Sequence, residues 1–262
     1  NATGGTGPIS YVWQSSTDGT IYNTISGATS STYSPGAISV NTYFKRGAST
    51  PVDAVVYSSP VLITVQQSVG GSIAGSASVC TGTNSTVLTL SGQTGSVTKW
   101  QSSLTSNFSS VTDIANTTAS ITATNLTATT YYRAVITLGS CTSVNSSIAT
   151  VTVNSLPVIS VSPSVPSIAN GSSVTLTASG SNTYSWTPST GLSVTNTAVV
   201  TASPTSTTTY TVTGTNSTTT CSSTASVTVT VNAALAAGSI SADQTICVGA
   251  TPAALTDRKS VV

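Results

Sequence analysis

Four cysteines, five aspartates, three tryptophans and nine tyrosines are the residues of this chain whose chemistry could go beyond packing. Cys80, Cys141, Cys221 and Cys247 form no C-x-x-C pair, and with no histidine in 262 residues a zinc site is short of ligands. The chemistry left to such thiols is structural disulfide bonding in an oxidising compartment. They fall at two recurring places, ahead of a second strand and ahead of a last strand. Two pairings fit this pattern. Cys80 with Cys141 would close a loop inside one repeat. In a sandwich those two places tend to lie at opposite poles, ~20–25 Å apart for strands of about seven residues, whereas a disulfide needs Cα atoms within about 7 Å. Cys80 with Cys221 would bridge consecutive repeats and give Cys221 a partner that its own repeat lacks. Both stay open on the sequence.

The carboxylates offer less. Asp18, Asp53, Asp113 and Asp243 are scattered and make no calcium-loop pattern. Without His or Glu a Ser–His–Asp triad cannot be assembled, and the two carboxylates of a glycosidase have no candidates. VGGSIAG lacks the lysine of a phosphate loop. The expectation is a segment without catalytic residues, cofactor or metal. Asn84, Asn116 and Asn125 begin N-x-S/T triplets, which a chain so rich in Asn, Ser and Thr makes by chance.

YVWQSSTDG, Tyr11 to Gly19, has the make-up of a ligand-binding strand, and WQSS returns at Trp100 to Ser103. Its recurrence leads to the elements. Trp13, Trp100 and Trp186 stand 87 and 86 positions apart, each in a short β-rich run. Downstream come NTYFKR with Tyr43, TTYYRA with Tyr131 and TTTYTV with Tyr210, then the alternating runs SPVLITV, SIATVTV and ASVTVTV. GSIAGSASVC (71–80) returns as GSISADQTIC (238–247) at an offset of 167. The organisation expected is a partial repeat over 1–67 lacking its N-terminal strands, complete repeats over 68–154 and 155–232, and the truncated start of another over 233–256. The final DRKSVV (257–262) breaks composition and resembles a translated adapter sequence, so it reads as a cloning artefact.

In the second repeat, strands are expected near 71–74, 86–90, 97–101, 120–123, 130–137 and 147–153. Six or seven short strands with no helical period predict an all-β chain of tandem immunoglobulin-like or PKD-like antiparallel sandwiches arranged end to end. In that fold a tryptophan on the third strand fills the space between sheets, and a tyrosine opens the sixth strand. Trp13, Trp100, Trp186, Tyr43, Tyr131 and Tyr210 are therefore expected as core anchors.

Composition fits a folded chain. Only 4% of residues are charged, net charge is +1 and mean hydropathy is +0.25, unlike the charged, weakly hydrophobic chains that stay disordered. The charge is too sparse for a nucleic-acid footprint, and no apolar run of membrane-spanning length occurs. Linkers such as NSLPV (154–158) are short and carry proline, so neighbouring repeats should be held end to end.

The succession of VC or IC, TxxxxLTLSG, KWQSS, NLTATTYYRA and GSCTSVNSSIATVTV resembles the Ig-like and PKD-like tandem repeats of large Bacteroidetes cell-surface proteins, including gliding-motility-type adhesins. The resemblance spans Gly4 to Thr256 and is strongest over 71–153, while SVTLTASGSNTYSWTPSTGLS is more similar to the PKD-like variant. It implies export by the type IX secretion system, placement at the cell surface or outside the cell, and a role as stalk or adhesin. The partners it implies are neighbouring repeats and surface glycans or other cells. A carbohydrate-binding accessory region of a secreted polysaccharide-degrading enzyme is the alternative, which would need exposed rings at Tyr184 and Trp186 or at Tyr131 and Tyr132.

Overall fold

The computed structural model describes residues 7–233, 239–240, 243–255 and 257–258. They form an all-β chain in which sandwich strands such as Ser120–Thr124 and Val174–Ser179 alternate inward apolar with outward hydroxyl residues, the period-two pattern of a half-buried strand. Among the described residues no helix is long and apolar enough to cross a membrane.

Residues 7–67 build a single sheet. β1 (Ser10–Ser16), β2 (Asn23–Thr24), β3 (Thr42–Ser49), β4 (Val56–Tyr57) and β5 (Val61–Ile63) are all antiparallel, in the order β2-β1-β3-β4, with β5 also on β3. No second sheet is formed by these residues.

The second unit is a complete sandwich. Its strands are β6 (Ser72–Ala74), β7 (Ala77–Cys80), β8 (Ser85–Ser91), β9 (Ser96–Ser103), β10 (Thr112–Ile114), β11 (Ser120–Thr124), β12 (Thr130–Thr137), β13 (Val144–Asn145) and β14 (Ala149–Asn154). One sheet runs β10-β9-β12-β14-β7, with β13 on β12, and the other runs β11-β8-β6. The first strand is broken at Gly75 (φ +105°), a conformation that favours glycine, so β6 joins one sheet and β7 crosses to lie parallel on β14. Sequence periodicity misses β7, β10 and β13 because each has at most four residues and sits on an edge.

The third unit repeats the plan with β15 (Ser160–Ser162), β16 (Ser167–Ala169), β17 (Val174–Ser179), β18 (Thr183–Thr187), β19 (Val199–Ala202), β20 (Thr208–Thr215) and β21 (Ser222–Asn232). The sheets are β15-β17-β19 and β16-β21-β20-β18, and β16 again lies parallel on the last strand. Beyond it, β22 (Ser239–Ile240) pairs with β23 (Asp257–Arg258).

Each sandwich encloses its own core, one around Trp100, Leu88 and Ile136, the other around Trp186, Leu176 and Tyr210. The three tryptophans share a bond. The indole N–H donates to Ser30 O from Trp13 (3.0 Å), to Thr118 O from Trp100 (2.9 Å) and to Thr197 O from Trp186 (2.9 Å). Their burial differs. Trp100 and Trp186 are sealed between sheets, whereas Trp13 is only half-buried because nothing from residues 7–67 forms an opposing sheet.

The expectation for the tyrosines needs correcting in two of three copies. Tyr43 and Tyr131 are half-buried, and the inward residues are their neighbours Phe44 and Tyr132. Successive side chains on a strand point to opposite faces, so a shift of one position exchanges inside for outside. Tyr43 instead lies against the turn at Gly19, where a Cβ would meet its ring at 3.2 Å. Tyr210 is buried, and its hydroxyl donates to Thr190 O at 2.8 Å. The same hydroxyl would stand 2.9 Å from a Cβ at Gly191, whose φ is +77°, so turn and tyrosine are fitted to one another.

Candidate functional site

WQSS is explained strand by strand. The tryptophan points inward, and the second serine, Ser16 or Ser103, is buried at the strand end, where it accepts a turn N–H (Gly19 N, 2.9 Å; Thr105 N, 3.1 Å). Asp18 belongs to that turn: its Oδ1 accepts from Ile21 N (2.9 Å), Thr20 N (2.8 Å) and the Ser16 hydroxyl (2.8 Å). These donors, the Ile21 and Thr20 amides first, hold its carboxyl far below the usual range. The carboxylate is a turn cap with its lone pairs spent locally. Gln101 faces outward in a polar ladder. Asp113 accepts from Lys99 Nζ (2.7 Å) and Gln101 Nε2 (2.8 Å), Gln101 Oε1 accepts from Arg133 Nε (2.8 Å), and the Arg133 guanidinium lies 4.1 Å from the Phe108 ring centre. Lys99 and then Gln101 lower the Asp113 carboxyl.

The stacking rings proposed for sugar are not available as a pair in either sandwich. Trp186 and Tyr132 are buried, and the Tyr184 hydroxyl both donates to Ser181 O (2.6 Å) and accepts from Ser181 N (2.9 Å). Asn84, the first of the N-x-S/T asparagines, is also committed: its Nδ2 donates to Cys80 O and Leu126 O (2.8 Å each) and its Oδ1 accepts from Leu126 N (2.9 Å). No group of three or more His, Cys, Asp or Glu among the described residues could hold a metal.

What the structure does assemble is a joint. Cys80 ends β7 at the pole where β14 also ends, and Thr81 N donates to Asn154 O at 2.8 Å. Cys221 sits in the β20–β21 hairpin of the next sandwich, fully buried. Asn216 shapes that hairpin: its N–H donates to Cys221 O (2.9 Å), and its Oδ1 accepts from Thr218 N (2.9 Å) and Thr219 N (3.2 Å). The two cysteines form a disulfide, with Cα atoms 5.5 Å apart and a sequence separation of 141. The Ser223 hydroxyl donates to Pro157 O in the linker beside it. Of the two pairings open on the sequence, the structure has the one that bridges sandwiches. Cys141, expected among the disulfide candidates, is a free and half-buried thiol. It cannot reach Cys80 because it occupies the hairpin at the other pole, where its Sγ lies 3.4 Å from Gln66 O.

A second feature belongs to the first sheet. Trp13, Tyr33, Phe44, Arg46, Val61 and Ile63 line a groove of about 300 Å³ on the face that carries the tryptophan. Tyr33 packs between Trp13 (centroids 5.6 Å) and Phe44 (6.0 Å).

Residues 1–67 and 69–155 match the family model described as Domain of unknown function (DUF8696). None of the curated proteins matches the chain. Among solved structures, the N-terminal four Ig domains of Dscam1 isoform 6.9 are similar at 12% identity over 73% of this chain and 54% of that one, with TM-score 0.30. The fibronectin(III)-like modules of Clostridium thermocellum CbhA are similar at 12% identity, covering 61% and 90%, with TM-score 0.31. Murine CEACAM1b is similar at 11% identity, covering 61% and 100%, with TM-score 0.25. The chain spans about half the length of the Dscam1 structure it matches.

Proposed function

The chain belongs to the family described as Domain of unknown function (DUF8696), and on that premise we propose that it is a non-catalytic repeat segment of an exported or cell-surface protein, acting as a stalk that also contributes to adhesion. The observation that carries this reading is the Cys80–Cys221 bond, which ties one sandwich to the next at a joint where the Ser223 hydroxyl also bonds Pro157 O of the linker. A covalent tie between neighbours serves a spacer, which must transmit position, and serves no chemistry. Disulfides persist in oxidising surroundings, which supports placement outside the cytoplasm. The resemblance of the repeats to Bacteroidetes surface proteins supports export by the type IX route, with surface glycans or other cells as the adhesive partners.

Small-angle scattering on the chain, with and without reductant, tests the stalk. An elongated particle whose maximum dimension holds steady while the bond is intact is the expected result. A compact globule with all modules folded together would defeat the reading.

A further inference from the structure

Asn170 is the one asparagine of this chain that glycine follows. The fold ties down most of the others. Beside Asn84, Asn182 accepts Ser217 N on its Oδ1 (2.9 Å), Asn216 caps its hairpin, and the Asn232 Nδ2 donates to the Ser167 hydroxyl (2.8 Å). Asn125 and Asn145 make no side-chain bond, but the amide that follows each is spent, Leu126 N on Asn84 Oδ1 and Ser146 N on Ala134 O. Asn196 is free but precedes Thr197, whose branched Cβ crowds its own amide. Asn170 is exposed, its side chain has no partner among the described residues, and neither has the N–H of Gly171.

The two residues form the tip of a turn that Ser172 N closes on Ala169 O (3.0 Å), with Gly171 at φ +83° in the third position. A Cβ placed on Gly171 would meet nothing within 4 Å, so the peptide between 170 and 171 is free to swing toward the asparagine side chain. The place of this turn in the sandwich is set by register. Ala169 pairs with Asn232 as Cys80 pairs with Asn154, and Asn170 N donates to Asn232 O (3.0 Å) as Thr81 N does to Asn154 O (2.8 Å). Asn170 therefore stands at the pole that, in the second sandwich, faces its neighbour across the disulfide. Alanine takes the cysteine's place here, and residues 155–232 contain no Asp, Glu, Lys or Arg.

We propose that Asn170–Gly171 is a self-modification site, at which the folded protein converts Asn170 to aspartate and isoaspartate with water as the only co-reactant. The Gly171 amide loses its proton to solvent base, and its nitrogen attacks Asn170 Cγ. A bond forms between Gly171 N and Cγ, the bond from Cγ to Nδ2 breaks, and Nδ2 leaves as ammonia. Water then opens the five-membered imide. Opening at Cγ leaves aspartate on the ordinary backbone. Opening at the main-chain carbonyl leaves isoaspartate, in which the backbone runs through the former side chain and is one atom longer. That atom falls inside the turn closed by Ser172 N and Ala169 O. Either product gives the third sandwich its first formal charge, placed at a joint pole, and loss of ammonia makes the step one-way. The mark accumulates with the age of the molecule.

The test is peptide mapping by mass spectrometry of the full folded chain, sampled during incubation in mildly alkaline buffer, with a parallel sample in urea. The Asn170 peptide should be the first to gain the mass of an amide turned to a carboxylate, as a mixture of aspartate and isoaspartate, while Asn84 and Asn216 stay unchanged. Gly171→Ala should slow the conversion at least about tenfold, because a Cβ crowds the attacking nitrogen and opposes the peptide rotation. Asn170→Gln, which keeps the glycine and its turn, should abolish it. Conversion in urea but not in the folded chain, aspartate as the sole product, an earlier conversion at another asparagine, or an undiminished rate in Gly171→Ala would overturn the proposal. None of these outcomes bears on the stalk reading, which concerns the joint at Cys80.

Discussion

Cys80 and Cys221 lie in different sandwiches, yet their Cα atoms are 5.5 Å apart and no other cysteine of the described chain is bonded. Each core is complete without this bond. Replacing Cys80 by Ser is therefore expected to leave both sandwiches folded while loosening the joint. Cleavage after the exposed Val158 of the linker by an elastase-like protease should accelerate, and denaturant unfolding should lose about 2–4 kcal/mol, the usual worth of a long-loop disulfide.

Trp13 and Trp100 make the same indole bond in different surroundings, so one substitution at both sites separates packing from hydrogen bonding. Trp100→Ala opens a cavity in a sealed core and should cost about 3–5 kcal/mol by chemical denaturation. Trp13→Ala removes a half-exposed ring and should cost clearly less. Equal losses would mean that the first sheet is covered in solution.

Tyr210 closes the third sandwich through a single hydroxyl on Thr190 O. Tyr210→Phe keeps the ring and strands a carbonyl, a change expected to lower stability by about 1–3 kcal/mol. Gly191→Ala should be at least as harmful, since its backbone conformation and the nearby hydroxyl both oppose a Cβ. Thermal denaturation of the two variants and their combination should show them to be non-additive, because they disturb one contact.

Asp18 and Asp113 both have lowered carboxyl values. A depressed folded value means that the stabilising contribution is complete above the ordinary carboxylate range and is lost as pH falls through the folded value. Carboxyl resonances followed by NMR should show Asp18 still ionised at about pH 3, where an unperturbed aspartate is mostly protonated. In Lys99→Met the Asp113 midpoint should return toward normal while that of Asp18 stays put.

How much of this could be read from the sequence depended on whether the signal was local. The all-β sandwich followed from alternation and turn residues, and the indole positions from their even spacing. The tyrosines show where such reading stops. In TYF and TYY two aromatic residues are adjacent, and nothing local says which faces the core. In TTTYTV there is one, and it is the buried one. Asp18 looked like a ligand because side-chain chemistry is visible in a sequence and the three donors that occupy it are not. The disulfide was half legible: strand length argued against the partner within the repeat, but the facing hairpin is a tertiary fact. β7 was missed because a four-residue strand crossing between sheets has no period to detect.

The bridge between Cys80 and Cys221 also decides how the molecule would behave under tension. A pull applied at the two ends travels through the shortest covalent route, which runs from Cys80 across the sulfur atoms to Cys221. The chain between the two cysteines, which stand 141 positions apart, is a closed loop off that route. Nearly all of both hydrophobic cores lies inside the loop and is shielded from load. Stretching could draw out only the segments on either side, and the fully extended molecule would be shorter by ~500 Å than its residue count implies. Reduction of that one bond would bring both cores into the load path, and the missing length would return only as they unfolded under tension, so the joint would act as a fuse.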